Sequence, residues 1–104
     1  MDAQQTQDLI KVLLDPKADI GARDDAAMDL YETDAPQARQ ALLAVACDAR
    51  TPYIVLASAG ESLGQIVTRT GRFLSDQEHA GLTADARHEY DGASTSTTDI
   101  NDGG

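Results

Sequence analysis

Residues 60–64, Gly60-Glu61-Ser62-Leu63-Gly64, satisfy the pattern G-x-S-x-G. In hydrolases that pattern is a strained strand-to-helix turn that presents a nucleophilic serine. Ser62 would then need a general base and a carboxylate to orient it. His79 or His88 could serve as the base, with Asp76 or Asp85 beside it, in the chain order Ser…Asp…His. The same histidines could be metal ligands, but they stand nine residues apart. Two ligands on one helix face need a spacing of about three or four, as in H-E-x-x-H. The calcium loop D-x-D-x-D-G is also absent. His79 and His88 therefore read as solvated surface residues, and neither metal nor cofactor is expected. Cys47, the single cysteine, lies in the apolar run ALLAVACDA and reads as a small buried hydrophobe.

An elbow needs a parallel sheet to feed it, and the pattern around Ser62 is helical. Periodic apolar residues and capping signals predict helices over about 5–15, 20–33, 35–49 and from Thr51 to about 69. Asp19, Asp34 and Thr51 are the expected caps of the second, third and fourth helices. Pro36 and Pro52 fall in first turns, where a missing N–H costs nothing. Gly71 closes the fourth. A fifth segment opens on Ser75-Asp76-Gln77-Glu78, which fits a capping box, and runs to about Tyr90 with a break or bend at Gly81. The one β-leaning run, YIVL at 53–56, has no sheet to join. Residues 92–104, GASTSTTDINDGG, are small and polar, and are expected to form a disordered tail behind a single domain over 1–91.

Sliding the chain by 33 residues lays 7–32 over 40–65 without a gap. Gln7 then meets Gln40, Leu9 meets Leu42, Val12 meets Val45 and Asp15 meets Asp48. Further on, Ala26 meets Ala59 and Leu30 meets Leu63. The matches recur at helix-face spacing, which indicates two helical hairpins stacked side by side. In this register the serine motif overlies the plain helical segment AAMDLY, and Ser62 overlies Asp29 on a face expected to meet water. Exchange of Ser62 for alanine is therefore expected to leave stability unchanged.

The second helix of each pair resembles the B helix of HEAT-type repeats. The first copy supplies Asp15-Pro16, Arg23, Ala26-Ala27 and Leu30; the second supplies Asp48, Ala59-Gly60, Leu63-Gly64 and Ile66. Tyr31 stands where the family has Gly, and Leu56 where it has Arg. The resemblance covers about 7–67 and implies an all-α, short HEAT-like α-α superhelix: two hairpins and a C-terminal capping helix. By the same resemblance, Arg23 ties to an acidic residue of a neighbouring turn, Asp15 or Asp48. The open stack end could accept a second copy, giving a homodimer.

The formal charge is −10, with 18 acidic and 8 basic residues. Phosphate backbones and anionic lipid would repel such a chain, so neither nucleic acid nor membrane is an expected partner. A basic protein would be steered towards it. At 100° per residue, Ala26, Ala27, Leu30 and Ile20 form the buried arc of the second helix. Asp25, Met28, Asp29 and Glu32 share the opposite arc, and Ser58, Glu61, Ser62 and Gln65 correspond to them on the fourth helix. Like charges at this spacing cost a few tenths of a kcal/mol each, and solvation alone would not place a methionine among them. These eight residues are the candidate partner-binding strip of a non-catalytic module. The N-terminus lacks the basic and apolar regions of a signal peptide, so a cytoplasmic protein is expected. A short, acidic helical repeat also resembles small bacterial immunity proteins, which implies a basic toxin as partner. The alternative is an adaptor or accessory subunit of a larger assembly.

Overall fold

The computed structural model describes the backbone of residues 1–102 and the side chains of residues 1–94. It is all-helical, with no strand among the described residues. The helices are α1 (Ala3–Leu14), α2 (Ile20–Asp29) followed by a 3-10 turn (Leu30–Glu32), α3 (Pro36–Ala46), α4 (Tyr53–Thr70), α5 (Asp76–Gly81) and α6 (Ala84–Asp102). Thus α6 runs on through most of the segment expected as a tail. Side chains beyond Ser94, and residues 103–104 altogether, lie outside the described residues.

α1 packs on α2 and α3, and α4 packs on α2, α3 and α6. The two hairpins thus lie with first helix against first helix and second against second. Bonds between the second helices join residues about one repeat apart: Ser58 Oγ donates to Asp24 Oδ1 (2.5 Å) and Ser62 Oγ to the Ala27 carbonyl (2.6 Å). α4 is the hub. Val55, Leu56, Ala59, Gly60, Ser62, Leu63, Gly64, Ile66 and Val67 are all buried, leaving only a narrow wet stripe, as expected of a helix covered on three sides. Its partners in the core include Leu13, Ala27, Leu30, Leu42, Val45, Ala86 and Tyr90.

The capping signals hold in part. Asp19 accepts from the Ala22 N–H, and Gly71 ends α4 in the left-handed region at φ 75°. Asp34 does not cap α3; the N-cap is Ala35, and Asp34 instead takes the Arg69 guanidinium at 2.6 Å. Thr51 does not cap α4 either. Its hydroxyl donates back to the Val45 carbonyl at 2.9 Å, closing the α3–α4 turn. In both helices a proline enters at or beside the cap, and the polar side chain just before the cap bonds elsewhere, Asp34 as an acceptor and Thr51 as a donor.

The Ser75–Glu78 capping box is formed in full, and Gly81 at the end of α5 lies beside Cys47 at the C-cap of α3. Glu78 is held below the usual glutamate range, first by the Ser75 backbone N–H and then by Arg39, against a desolvation that pushes it up. A depressed carboxylate contributes stability above its unfolded pKa and loses it as pH falls through the folded value. Ser75→Ala should cost about 1 kcal/mol at neutral pH. Melting of Glu78→Gln and parent across a pH series should converge below the ordinary glutamate value of 4.5. A gap that widened in acid would contradict this assignment.

Candidate functional site

Ser62 sits in mid-α4, with 3% of its surface exposed and its hydroxyl committed to the Ala27 carbonyl. Among the described residues positive φ occurs only at glycine, at Gly71, so no strained elbow surrounds it. The G-x-S-x-G string is instead a helix crossing. A Cβ on Gly60 would lie 2.2 Å from the Ala86 carbonyl oxygen, and one on Gly64 would lie 2.6 Å from Ala93 Cβ. The two glycines let α6 approach α4 at backbone distance. Ala93, in the segment 92–104, belongs to that packing.

The expectation that Ser62 faces water is therefore wrong, and so is the idea of one continuous strip. Ser58 and Ser62 occupy the arc of α4 that looks back to α2. The same register puts Asp25 and Asp29 on an arc of α2 that no helix covers among the described residues. They are exposed for that reason. What remains as a groove lies between α2 and α4: a cavity of about 180 Å³ lined by Met28, Tyr31, Ser58, Glu61, Ser62 and Gln65. Met28 is 52% and Tyr31 38% exposed, and Glu32 and Glu61 are exposed beside them. Gln65 donates to Glu61 at 3.4 Å. Tyr31 was not among the expected site residues, although its place where the family pattern has Gly was the signal.

Glu61 also borders a second, wider groove of about 510 Å³ between α4 and α6, with His88, Glu89, Asp91, Gly92 and Ala93. None of the Lys or Arg residues lines either groove. Among the described residues no cation comes within ion-pairing distance of Asp25, Asp29, Glu32, Glu61 or Glu89. Several of the arginines are engaged elsewhere: Arg39 on Glu78, Arg50 on Asp48, Arg69 on Asp34, Arg87 on the carbonyls of Ala80 and Leu82. The result is a negative face interrupted by two exposed apolar side chains.

Other candidates fall differently from expectation. Ile20 is 51% exposed, because it opens α2 before the helix reaches the core. Cys47 is exposed at the C-cap of α3, one residue past the buried stripe. Partial desolvation, and then the Glu78 charge, push its thiol above the usual cysteine value, which disfavours the reactive thiolate. His79 is not simply solvated: its Nε2 meets Asp91 Oδ1 at 2.7 Å, and its ring lies edge-on to Tyr90. His88 is exposed. Among the described residues no group of three or more His, Cys, Asp or Glu side chains could hold a metal ion, and no helix is long and apolar enough to cross a membrane. Comparison with protein-family models, with curated proteins and with solved structures gives no match to this chain.

Proposed function

We propose that this chain is a non-catalytic protein-binding module, a short HEAT-like α-α superhelix whose α2–α4–α6 face receives a basic protein. The observation that carries this reading is the α2–α4 groove: Met28 and Tyr31 stand exposed in its lining together with Glu61, with Glu32 exposed next in sequence and no cation lining it. Exposed apolar anchors inside a charged rim are the anatomy of a docking surface. The groove alone, at about 180 Å³, is smaller than the roughly 300–1,000 Å³ of small-molecule sites. It suits a side chain of a larger partner. Asp25 and Asp29 on the exposed arc of α2, and Glu89 across α4, extend the attraction beyond the contact itself. In its most specific form the module is an immunity protein that occludes a basic bacterial toxin, in keeping with the charge of −10.

The experiment is a pull-down with the product of the adjacent gene, followed by kinetics on variants. Association should be fast at low ionic strength and slow as salt screens the face. Glu32→Lys with Glu61→Lys should weaken binding by about tenfold or more, chiefly in the association rate. Asp25→Lys with Asp29→Lys should have a smaller effect of the same kind. Met28→Ala should act on dissociation, since it removes desolvated contact. A partner that binds equally well to all of these variants would place the interface on another face.

A further inference from the structure

At the turn end of the two hairpins a cavity of about 310 Å³ opens between Leu14, Pro16, Ala44, Val45, Thr51 and the charged residues Arg23, Asp48 and Arg50. Arg23 is 94% buried, being only 6% exposed, and its Nε donates to the Leu13 carbonyl at 3.1 Å. Neither Nη atom has an acceptor, and no carboxylate pairs with the guanidinium at ion-pair distance, among the described residues. Neither acidic residue expected to meet it does so. Asp15 accepts from the Lys17 N–H. Asp48 accepts from the Arg50 backbone and Nε at Oδ1 and from Nη2 at Oδ2, bonds that hold it below the usual aspartate range, with a smaller attraction from Arg23.

The side chain as a whole is buried, but its Nη atoms are not among the fully buried atoms that lack a partner, so they keep solvent access, and the space that Arg23 lines is this cavity. We infer that this cavity is a binding site for a small aliphatic carboxylate, held by the two Nη atoms of Arg23. The planar pair of donors matches the two oxygens of a carboxylate. Leu14, Pro16, Ala44 and Val45 offer an apolar wall to a short alkyl chain. Arg50 neutralises Asp48, so the site carries one net positive charge. A second negative charge on the ligand would meet Asp48, which favours a monocarboxylate over a phosphate dianion. The volume lies at the low end of small-molecule sites, roughly 300 Å³ and upwards. The same chemistry is offered by a free short-chain acid and by the terminal carboxylate of a peptide.

The test titrates the full chain with sodium propionate, against sodium chloride at equal ionic strength, following the Arg23 Nε–H and the Thr51 amide by NMR. A parallel arm uses acetyl-dialanine as the free acid and as its amide. Saturable shifts with propionate, absent with chloride, are expected. Ala44→Leu, at an exposed position on the cavity wall, should fill the space and abolish them while leaving the fold intact. Arg23→Lys should weaken binding about tenfold, since an ammonium cannot present two parallel donors. Saturation by the peptide acid alone would keep the site and make a chain terminus its ligand. Equal binding of acid and amide, a response no different from chloride in both arms, or full affinity in Ala44→Leu would each overturn the proposal. Arg23 would then be a strut for Leu13 and nothing more.

Discussion

Gly60→Ala should unseat α6. In most helices this exchange stabilises by about 0.5–1 kcal/mol, because glycine pays more backbone entropy. Here the new methyl would lie 2.2 Å from the Ala86 carbonyl oxygen and 2.9 Å from its Cα and carbonyl carbon. The obstacle is backbone, so no rotamer change relieves it and the whole of α6 must retreat. Overpacking of this kind costs about 1–3 kcal/mol or more, and the retreat also exposes Ala86 and Tyr90. The clash therefore outweighs the propensity gain. Each kcal/mol should lower Tm by about 4–8 °C in a domain of this size. Gly92→Ala is the control: nothing lies within 4 Å of its Cβ, so it should hold or raise Tm. Gly60→Ala matching Gly92→Ala in a thermal melt would mean that α6 does not sit on α4 as described. Because α6 carries His88 and Glu89, the same variant should also thin the acidic face at that edge.

The helices were legible because their signals are local. Gly71 needs only a left-handed residue to end α4, and Ser75 with Glu78 needs only its own first turn. The pairing of the helices was legible too, since α1 meets α3 and α2 meets α4. Which faces stay wet was harder to read, because that depends on neighbours that periodicity does not name. The register equates Ser62 with Asp29, yet one is buried and the other exposed. α4 has α2 against that arc, while among the described residues no helix covers the matching arc of α2, so equivalent positions meet opposite environments. Asp25 and Asp29 on that uncovered arc are exposed carboxylates. On two copies they would repel each other, which opposes self-stacking through this face. Met28 and Tyr31 have no such explanation, so the partner-binding reading rests on them more than on the aspartates. The Gly60 and Gly64 crossing was visible as a helical string rather than an elbow, but its purpose was not, because only α6 reveals what the small residues accommodate.

Leu63→Ala and Ser62→Ala, adjacent in sequence, separate the contributions of core and hydrogen bond. Leu63 is fully buried in the cluster that joins both hairpins to α6. Its truncation leaves a cavity that rigid helices on three sides cannot fill, so the cost should be about 2–5 kcal/mol. Ser62 is also buried, and the sequence expectation of a neutral exchange there no longer holds. Alanine keeps the small volume and loses one bond to Ala27, for a net cost of about 0.5–1.5 kcal/mol. Chemical denaturation should therefore show a midpoint shift for both variants, several times larger for Leu63→Ala, with the m-value unchanged. The smaller shift has a second consequence. The Ser62–Ala27 bond fixes the spacing of α2 and α4, and hence the width of the groove between Met28 and Glu61. If that groove receives a partner, Ser62→Ala should weaken binding at temperatures where the variant is still fully folded. Ser62→Ala more destabilising than Leu63→Ala would reverse the helix phase on which the groove depends.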